Sequence, residues 1–477
     1  MTITAFSFAY AIAVCALFYI LRGRARKVVL TLASVGYVFG LNRAAGVSVL
    51  VVAICAWAAG LLVEKTAAAG RKRLSLGITY GFIAVAALSL LVLKYVPAYY
   101  GRFAEDSELF KKLFMPVGYS FYIFQVISYI ADIKREHVRA EHNPLDVILY
   151  LSYFPKFVSG PIERWQNFSA ELRKAVDAPF KDAMRWKKSL YYILYGCFMK
   201  VVIADRLGIY VDKLFDGYAQ YSGSLLFVGA IAYTIQIYCD FAGYSYVAMG
   251  LSKMFNIELM VNFDLPYCSS NITEFWRRWH ISLSSWFLDY IYIPLGGNRK
   301  GNLRKVLNTM IVFLVCGMWH GAGFNFIVWG LLHGIYSALD LETRKRGYKA
   351  IRSGAPGRII TFAEAAFAWI FFRASSFTGA LGYITAIWKN GFLSGELTSQ
   401  LELLQLKTVE ICVIAVLVLI IALLDRYAYA RQTHMPEIIS ELTQGRRYIW
   451  FYLLATAIFI FGIYGPALET RLIYMGF

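Results

Sequence analysis

Long apolar runs recur from one end of the 477-residue chain to the other, and no polar block of domain size separates them. A run of about 20 apolar residues crosses the roughly 30 Å of hydrocarbon in a bilayer. The composition agrees, because 59% of the residues are hydrophobic and only 16% are charged, against about 25% charged in soluble domains. The pattern therefore predicts an all-α integral membrane protein, with about ten or eleven spans in one domain over residues 1–477.

The net charge of +18 does not indicate a nucleic-acid partner, because the basic residues form short clusters between apolar runs. Such clusters mark cytoplasmic loops of membrane proteins. A single alternation of sides, with the N-terminus outside, places every cluster in the cytoplasm. The clusters are residues 22–27, 65–73, 134–142, 173–188, 277–278 with 299–305, 344–358 and 426–447.

Three apolar segments are too short or too interrupted to be simple spans, namely residues 145–158, 281–295 and 316–323. Non-helical backbone survives at membrane depth only where protein or water satisfies its polar groups. We therefore expect re-entrant or discontinuous helices around an intramembrane tunnel. Residues 163–188 are polar with spaced apolar side chains, which predicts helices on the cytoplasmic surface.

Few of the six histidines can act as a proton-transfer group inside the membrane. His137, His142 and His434 fall in charged loops, where we expect them to be solvated. His320 follows the apolar run 310–318, and burial there should keep its ring neutral and able to accept a proton. The flanking glycines should allow a substrate chain to approach closely. The alternative is a histidine that joins two helices by hydrogen bonds.

Residues 275–280 read FWRRWH and combine aromatic and basic side chains. Arg277 and Arg278 can neutralise the phosphates of a donor such as a coenzyme or a phosphopantetheine arm. The alternative is a simple anchor at the membrane interface, which this composition also provides. We expect His280 to line the tunnel, because it directly precedes a predicted re-entrant segment.

Asp240 closes the apolar run 231–239, and an acid at that depth needs a partner. It either orients a reacting group or forms a structural ion pair, and we expect the ion pair. His333 is expected to be a packing residue. The seven cysteines are far apart and form no CxxC, so the sequence predicts no metal site.

Taken together, six stretches resemble the membrane-bound O-acyltransferase family, in particular its bacterial branch that includes an alginate O-acetyltransferase subunit and a teichoic-acid D-alanyl transferase. They occur in family order over roughly residues 20–375, and additional C-terminal spans follow over about 408–465. The stretches are PVGYSFYIFQVISYIAD (116–132), FPKFVSGPIERW (154–165), DFAGYS (240–245), EFWRRWHISLSSWFLDYIYIPLGGNR (274–299), MWHGAGFNFIVWGLLHG (318–334) and FFRA (371–374).

The resemblance implies that His320 is the catalytic histidine and that His280 lines the same tunnel, where His280 or tunnel dipoles would take part in catalysis by steadying the developing oxyanion. Trp319 and Asp240 join Arg277 and Arg278 as expected substrate-binding residues. The sequence departs from the family at Tyr246, where members typically have aspartate, and at Ala242, where they have serine, so no role is carried over to these positions.

The implied reaction moves an acyl group, usually acetyl, from a cytoplasmic thioester toward hydroxyls of an extracytoplasmic polysaccharide. The donor would be acetyl-CoA or an acyl carrier's phosphopantetheine, used as a substrate with no bound cofactor. The implied location is the bacterial cytoplasmic membrane, and the implied partner is a periplasmic acetyltransferase or the acceptor machinery. Two alternatives stay open: D-alanyl transfer from a carrier protein, and a transporter without catalytic activity.

Overall fold

The computed structural model describes residues 5–100, 115–299, 301–347, 353–391 and 397–464, and these residues form helices and no strand. The predicted all-α architecture is confirmed. In chain order the α-helices are α1 (Ala5–Ile20), α2 (Arg24–Leu41), α3 (Arg43–Ala68), α4 (Lys72–Tyr100), α5 (Tyr119–Lys134), α6 (Pro144–Ser152), α7 (Trp165–Val176), α8 (Ala183–Cys197), α9 (Asp205–Asp216), α10 (Gly223–Met254), α11 (Ile272–Arg278), α12 (Ile281–Phe287), α13 (Gly301–His320), α14 (Phe324–Lys345), α15 (Gly354–Arg373), α16 (Phe377–Lys389), α17 (Leu397–Leu403), α18 (Thr408–Ala430), α19 (Met435–Glu441) and α20 (Gln444–Phe461).

Among the residues that the structure describes, six helices are long and apolar enough to cross a membrane, and α1 is a shorter apolar helix. Membrane helices of this kind satisfy every backbone group internally, so the protein is a multi-pass membrane protein. The predicted ten or eleven spans include shorter helices such as α5, which has 16 residues, so that number stays a prediction. The six spans are Arg43–Ala68, Lys72–Tyr99, Gly223–Met254, Phe324–Thr343, Gly354–Arg373 and Thr408–Ala430.

The three interrupted segments differ in how far they follow the prediction. Residues 145–158 form only the nine-residue α6, and residues 281–295 form α12 followed by a π-helix over Leu288–Tyr292. Both are short, as expected. Residues 316–323 contain the expected interruption at 321–323, but it is shorter than predicted, because α13 continues without a break through Gly317 to His320.

The chain divides into two compact units. One comprises Ile3–Leu190 with Ala248–Met260, and the other comprises Tyr191–Val247 with Val261–Phe477. Within the first unit, α7 buries an apolar face that includes Trp165, Phe168 and Leu172, as the spacing of residues 163–188 predicts. The second unit carries every candidate site residue, and the assignment of residues 1–477 to one domain stays a prediction.

Candidate functional site

His320 is the last residue of α13 and lies within an aromatic cluster. Only 2% of the residue is exposed. Its ring centroid is 4.7 Å from that of Trp319, 4.9 Å from that of Trp329 and 5.1 Å from that of Phe372, and all three contacts are edge-on. The structure therefore places the histidine in the enclosed, apolar surroundings that the sequence predicts.

The glycines around His320 serve helix packing. A Cβ atom on Gly321 would lie 2.2 Å from the Phe326 ring, and one on Gly317 would lie 2.3 Å from the Phe326 carbonyl oxygen. A Cβ on Gly330 would similarly lie 2.2 Å from the carbonyl oxygen of Phe313. The space beside these glycines is thus filled by the helix pair α13 and α14, so the expectation that it admits a substrate chain is wrong.

His280 lies between α11 and α12, and a hydrogen bond defines its proton positions. Its Nδ1 is 3.0 Å from Oδ1 of Asn262. The same oxygen accepts hydrogen bonds from Ser282, at 3.3 Å from the backbone N and 2.9 Å from Oγ. A backbone N–H can only donate, so this Asn262 atom is the oxygen, and Nδ1 of His280 carries the proton. In the neutral ring the lone pair then lies on Nε2.

The backbone of His280 is held in an unusual conformation. Its φ is 44° and its ψ is 53°, in the left-handed region. A non-glycine residue there costs about 1–3 kcal/mol, and such strain clusters at functional sites. Together with its 1% exposure, this indicates that the surroundings of His280 define its position closely.

Trp319 brings the two histidines into one cluster. Its ring centroid lies 6.3 Å from that of His280 and 4.7 Å from that of His320. On another side, the ring of Phe241 meets His280 edge-on at 4.7 Å. The structure thus brings together three of the predicted site residues.

Asp240 forms a buried ion cluster. Its Oδ1 is 2.5 Å from Nζ of Lys200, and the same Nζ is 2.6 Å from Oδ1 of Asp205. Lys200 belongs to a π-helix over Phe198–Ala204, a rare conformation that often occurs at functional sites. Asp240 therefore has the structural ion pair that we expected, and the adjacent Phe241 contacts His280.

The two arginines of the FWRRWH segment have different surroundings. Arg278 makes ion pairs with Asp264 at 2.8 Å and with Glu274 at 3.1 Å. Arg277 is exposed, and the residues that the structure describes form no ion pair with it. Its charge is therefore better placed than that of Arg278 to bind an added anion.

Arg277 lines a cavity of about 410 Å³, a volume within the usual range for small-molecule sites. Cys316 also lines it and lies one helical turn before His320 on α13. The lining residues are Thr273, Trp276, Arg277, Ile281, Leu283, Ser284, Ser285, Phe287, Leu288, Tyr292, Thr309, Val312, Phe313 and Cys316. A mostly apolar cavity with one cation suits a ligand that has both an apolar part and an anionic group.

His333 is a packing residue, as the sequence predicts. The indole Nε1–H of Trp276 donates to its Nδ1 at 3.2 Å, and its ring meets that of Trp329 at 5.1 Å. Since an indole N–H can only donate, Nδ1 of His333 is the acceptor. This nitrogen is therefore used in holding α11 against α14.

The family model of the membrane-bound O-acyltransferases matches residues 133–383, which include both candidate histidines. The chain belongs to this family. Members of the family with curated names include a probable alginate O-acetylase of Pseudomonas fluorescens, which is 39% identical over 266 residues, 55% of this chain and 52% of that protein.

Two other relatives of this O-acyltransferase carry different names. A peptidoglycan O-acetyltransferase of Helicobacter pylori is 37% identical over 298 residues, 56% of each chain. A teichoic acid D-alanyltransferase of Bacillus subtilis is 30% identical over 230 residues, 46% of this chain and 57% of that protein. The match spans little more than half the length of these three relatives.

Two residues of the site were not identified from the sequence. Asn262 orients His280, but a single asparagine in a loop carries no local signal of that role. Lys200 is a lysine within the apolar stretch Phe198–Ala204, and a charge in such a stretch marks a buried partner. That signal was present for Lys200, and Asp240 is the partner.

Proposed function

We propose that this protein transfers an acyl group, in the simplest case acetyl, from a cytoplasmic thioester to hydroxyls of an extracytoplasmic polysaccharide. The observation that carries the proposal is the buried cluster of His320, Trp319 and His280 in a member of an O-acyltransferase family. We place the protein in the bacterial cytoplasmic membrane. It would act with a periplasmic acetyltransferase or with other machinery that presents the acceptor.

His320 would act as the general base. It takes the proton of the acceptor hydroxyl while that oxygen forms a bond to the thioester carbonyl carbon. The C–S bond then breaks, and the imidazolium returns its proton to the leaving thiolate. In a second route the imidazole attacks the thioester carbonyl and expels the thiolate. The short-lived acyl-histidine then passes the acyl group to the hydroxyl, whose proton goes to the thiolate.

The hydrogen bond to Asn262 favours a particular role for His280. Because its Nδ1 donates to Asn262, the neutral ring presents a lone pair at Nε2 and no second N–H. Such a nitrogen can accept the proton of a thiol or hydroxyl and so orient a substrate. Stabilisation of the developing oxyanion then falls to N–H donors such as the Trp319 indole.

The donor would use the cavity beside Arg277. Acetyl-CoA and a carrier-linked phosphopantetheine both bring phosphate, which a guanidinium binds well. The cavity reaches Cys316, one helical turn from His320. A thioester arm that enters there would thus approach the proposed base with its phosphate near the arginine.

Contacts between three of the basic clusters bear on the orientation in the membrane. The ring of Tyr429 lies 5.0 Å from the guanidinium of Arg278 and 5.7 Å from that of Arg358. These three residues belong to three of the clusters that we expect in the cytoplasm. Their proximity is what a shared face of the membrane requires. The assignment of that face to the cytoplasm, and with it the proposed N-terminus outside, rests on the positive charge of the clusters.

The experiment is transfer of radiolabelled acetyl groups from acetyl-CoA in inside-out membrane vesicles. We expect His320→Ala to lower incorporation about a hundredfold or more, since loss of a general base typically has that effect. His142→Ala is the matched control, because its side chain is 82% exposed, and it should leave incorporation unchanged. Retention of more than about a tenth of the activity in His320→Ala would contradict the proposed base.

The same vesicles distinguish acetyl transfer from the two alternative activities, D-alanyl transfer and transport. The 30% identity to a teichoic acid D-alanyltransferase favours D-alanyl transfer as the second candidate. Incorporation from a D-alanyl carrier protein, with none from acetyl-CoA, would identify that activity. Movement of a solute without any covalent transfer would instead identify a transporter.

A further inference from the structure

The C-terminal loop, which we define as residues 429–437, lies against the segment that carries His280. It comprises the end of α18, the connection 431–434 and the start of α19, beyond the residues 133–383 that the family model matches. Its His434 side chain is only 14% exposed, and burial lowers the pKa of this imidazole. The expectation of a solvated His434 is therefore wrong, because the loop folds back onto the site-bearing helices.

His434 connects Tyr246 on α10 to Asp264. Its Nδ1 is 3.1 Å from the Tyr246 hydroxyl, and its Nε2 is 4.0 Å from Oδ1 of Asp264. The 4.0 Å separation is too long for a hydrogen bond, but the negative charge of the carboxylate favours the tautomer with N–H on Nε2, in which Nδ1 accepts from the tyrosine hydroxyl. Tyr246 is a position at which the sequence departs from the family pattern, and in this chain its hydroxyl serves a contact to the C-terminal loop.

Asp264 in turn pairs with Arg278 through both backbone and side chain. The backbone N of Asp264 donates to the carbonyl oxygen of Arg278 at 2.9 Å. The guanidinium Nη1 of Arg278 lies 2.8 Å from Oδ2 of Asp264 and 3.1 Å from its carbonyl oxygen. These bonds fix one end of a short paired stretch.

The other end of the paired stretch is the candidate site. Asn262 lies two residues before Asp264, and His280 lies two residues after Arg278. There, Nδ1 of His280 donates to Oδ1 of Asn262 at 3.0 Å, and the backbone N of Ile281 donates to the Asn262 carbonyl oxygen at 2.9 Å. Residues 262–264 and 278–281 are thus paired along their length. A displacement of Asp264 would be transmitted to Asn262 and from there to the imidazole of His280.

The C-terminal loop is itself well anchored. The carboxylate of Glu437 accepts a hydrogen bond from the Tyr192 hydroxyl at 3.0 Å. Met435 and Ile439 are 2% and 0% exposed. These contacts give the loop a fixed position, in which Nε2 of His434 faces the carboxylate of Asp264 at 4.0 Å.

We propose that His434 and Tyr246 are positioning residues for His280, acting through Asp264 and the paired segments 262–264 and 278–281. The C-terminal loop is then a part of the reaction centre that lies outside the matched family region. This inference rests on the proposed acyl transfer only for its effect on rate. The pairing itself is a property of the folded protein and is tested separately.

The rate experiment uses the purified full-length protein and acetyl transfer from acetyl-CoA. We expect His434→Ala to lower kcat about fivefold to tenfold with little change in the donor KM, since a misplaced His280 stabilises the transition state less well. His434→Gln keeps an amide near the Nε2 position and should restore most of the rate. His434→Asn, which keeps an amide only near the Nδ1 position, should restore less, and His142→Ala is the control.

A double-mutant cycle tests the connection to His280. If His434 acts through His280, His434→Ala should cause no further loss in a His280→Ala background. Independent, multiplying losses would overturn the proposal.

The second measurement does not depend on catalysis. Hydrogen exchange of peptides that cover residues 262–281 should be at least about fivefold faster in His434→Ala and somewhat faster in Tyr246→Phe, because the pairing loses its support. Unchanged exchange would overturn the proposal, even if the wild-type protein transferred a different acyl group or none. Faster exchange in inactive protein would instead contradict only the proposed acetyl transfer.

Discussion

At the scale of single residues, Asn262 determines what His280 can do. By accepting the Nδ1–H it leaves a lone pair on Nε2. The asparagine is 1% exposed, so this hydrogen bond does not compete with bulk water. The chemistry of the histidine thus depends on a neighbour that has no reactive group of its own.

We predict that Asn262→Ala lowers acyl transfer about tenfold, because the imidazole can then rotate and exchange tautomers. The measurement is kcat of the purified variant, alone and combined with His280→Ala. Since the asparagine acts through the histidine, the double variant should be no slower than His280→Ala alone. An additional tenfold loss in the double variant would assign Asn262 a separate role.

Substitutions of Arg277 and Arg278 should change different kinetic parameters. Arg277→Gln should raise the apparent KM for acetyl-CoA several-fold and leave kcat nearly unchanged, because a charge–phosphate contact is lost in substrate and transition state alike. Arg278→Gln removes the partner of Asp264 and Glu274, so it should lower kcat and the amount of folded protein. Equal increases in KM for both variants would show that both contact the donor.

At the scale of helices, α13 and α14 pack at a distance that only glycine permits. Gly317 and Gly330 each place their Cα against a backbone carbonyl of the opposite helix. Small residues allow this close approach between membrane helices. The helix that ends at His320 is therefore fixed by contacts that begin one turn before the histidine.

We predict that Gly317→Ala destabilises the protein by about 1–3 kcal/mol, since a Cβ would lie 2.3 Å from the carbonyl oxygen of Phe326. Gly77→Ala on α4 is the control, because a Cβ there meets nothing within 4 Å. The check is the thermal midpoint of the purified protein in detergent. If both variants have the same thermal midpoint, the close contact of α13 with α14 does not limit stability.

At the scale of the whole molecule, hydropathy was enough to predict the helices and the enclosed position of His320, since both depend on local sequence. The interruption predicted for residues 316–323 covers only residues 321–323, because Gly317 packs against Phe326 and stays within α13. His434 was misjudged for a similar reason, since its burial depends on Tyr246, distant in the sequence. The Asn262–His280 hydrogen bond likewise exists only in the folded chain.

Membrane orientation is tested with single cysteines in a variant that lacks the seven native ones. Asn302 and Ser375 are both exposed and are expected on opposite faces, because the predicted alternation of sides counts α13, α14 and α15 as three crossings. In intact cells, a membrane-impermeant maleimide should label Ser375→Cys and leave Asn302→Cys unlabelled until the inner face is opened. Labelling of Asn302→Cys in intact cells would reverse the orientation and exclude a cytoplasmic donor at Arg277.

The Trp319 ring touches both histidines, and this contact bears on the energy supply of the cell. A protein that joins reactants from two faces of a coupling membrane risks becoming a proton leak, since histidines in a wet channel would pass protons along it. Closely packed indole and phenyl rings hold no continuous file of water. If the proposed reaction takes place beside these rings, the same aromatic cluster would also act as electrical insulation and would let the proton-motive force persist.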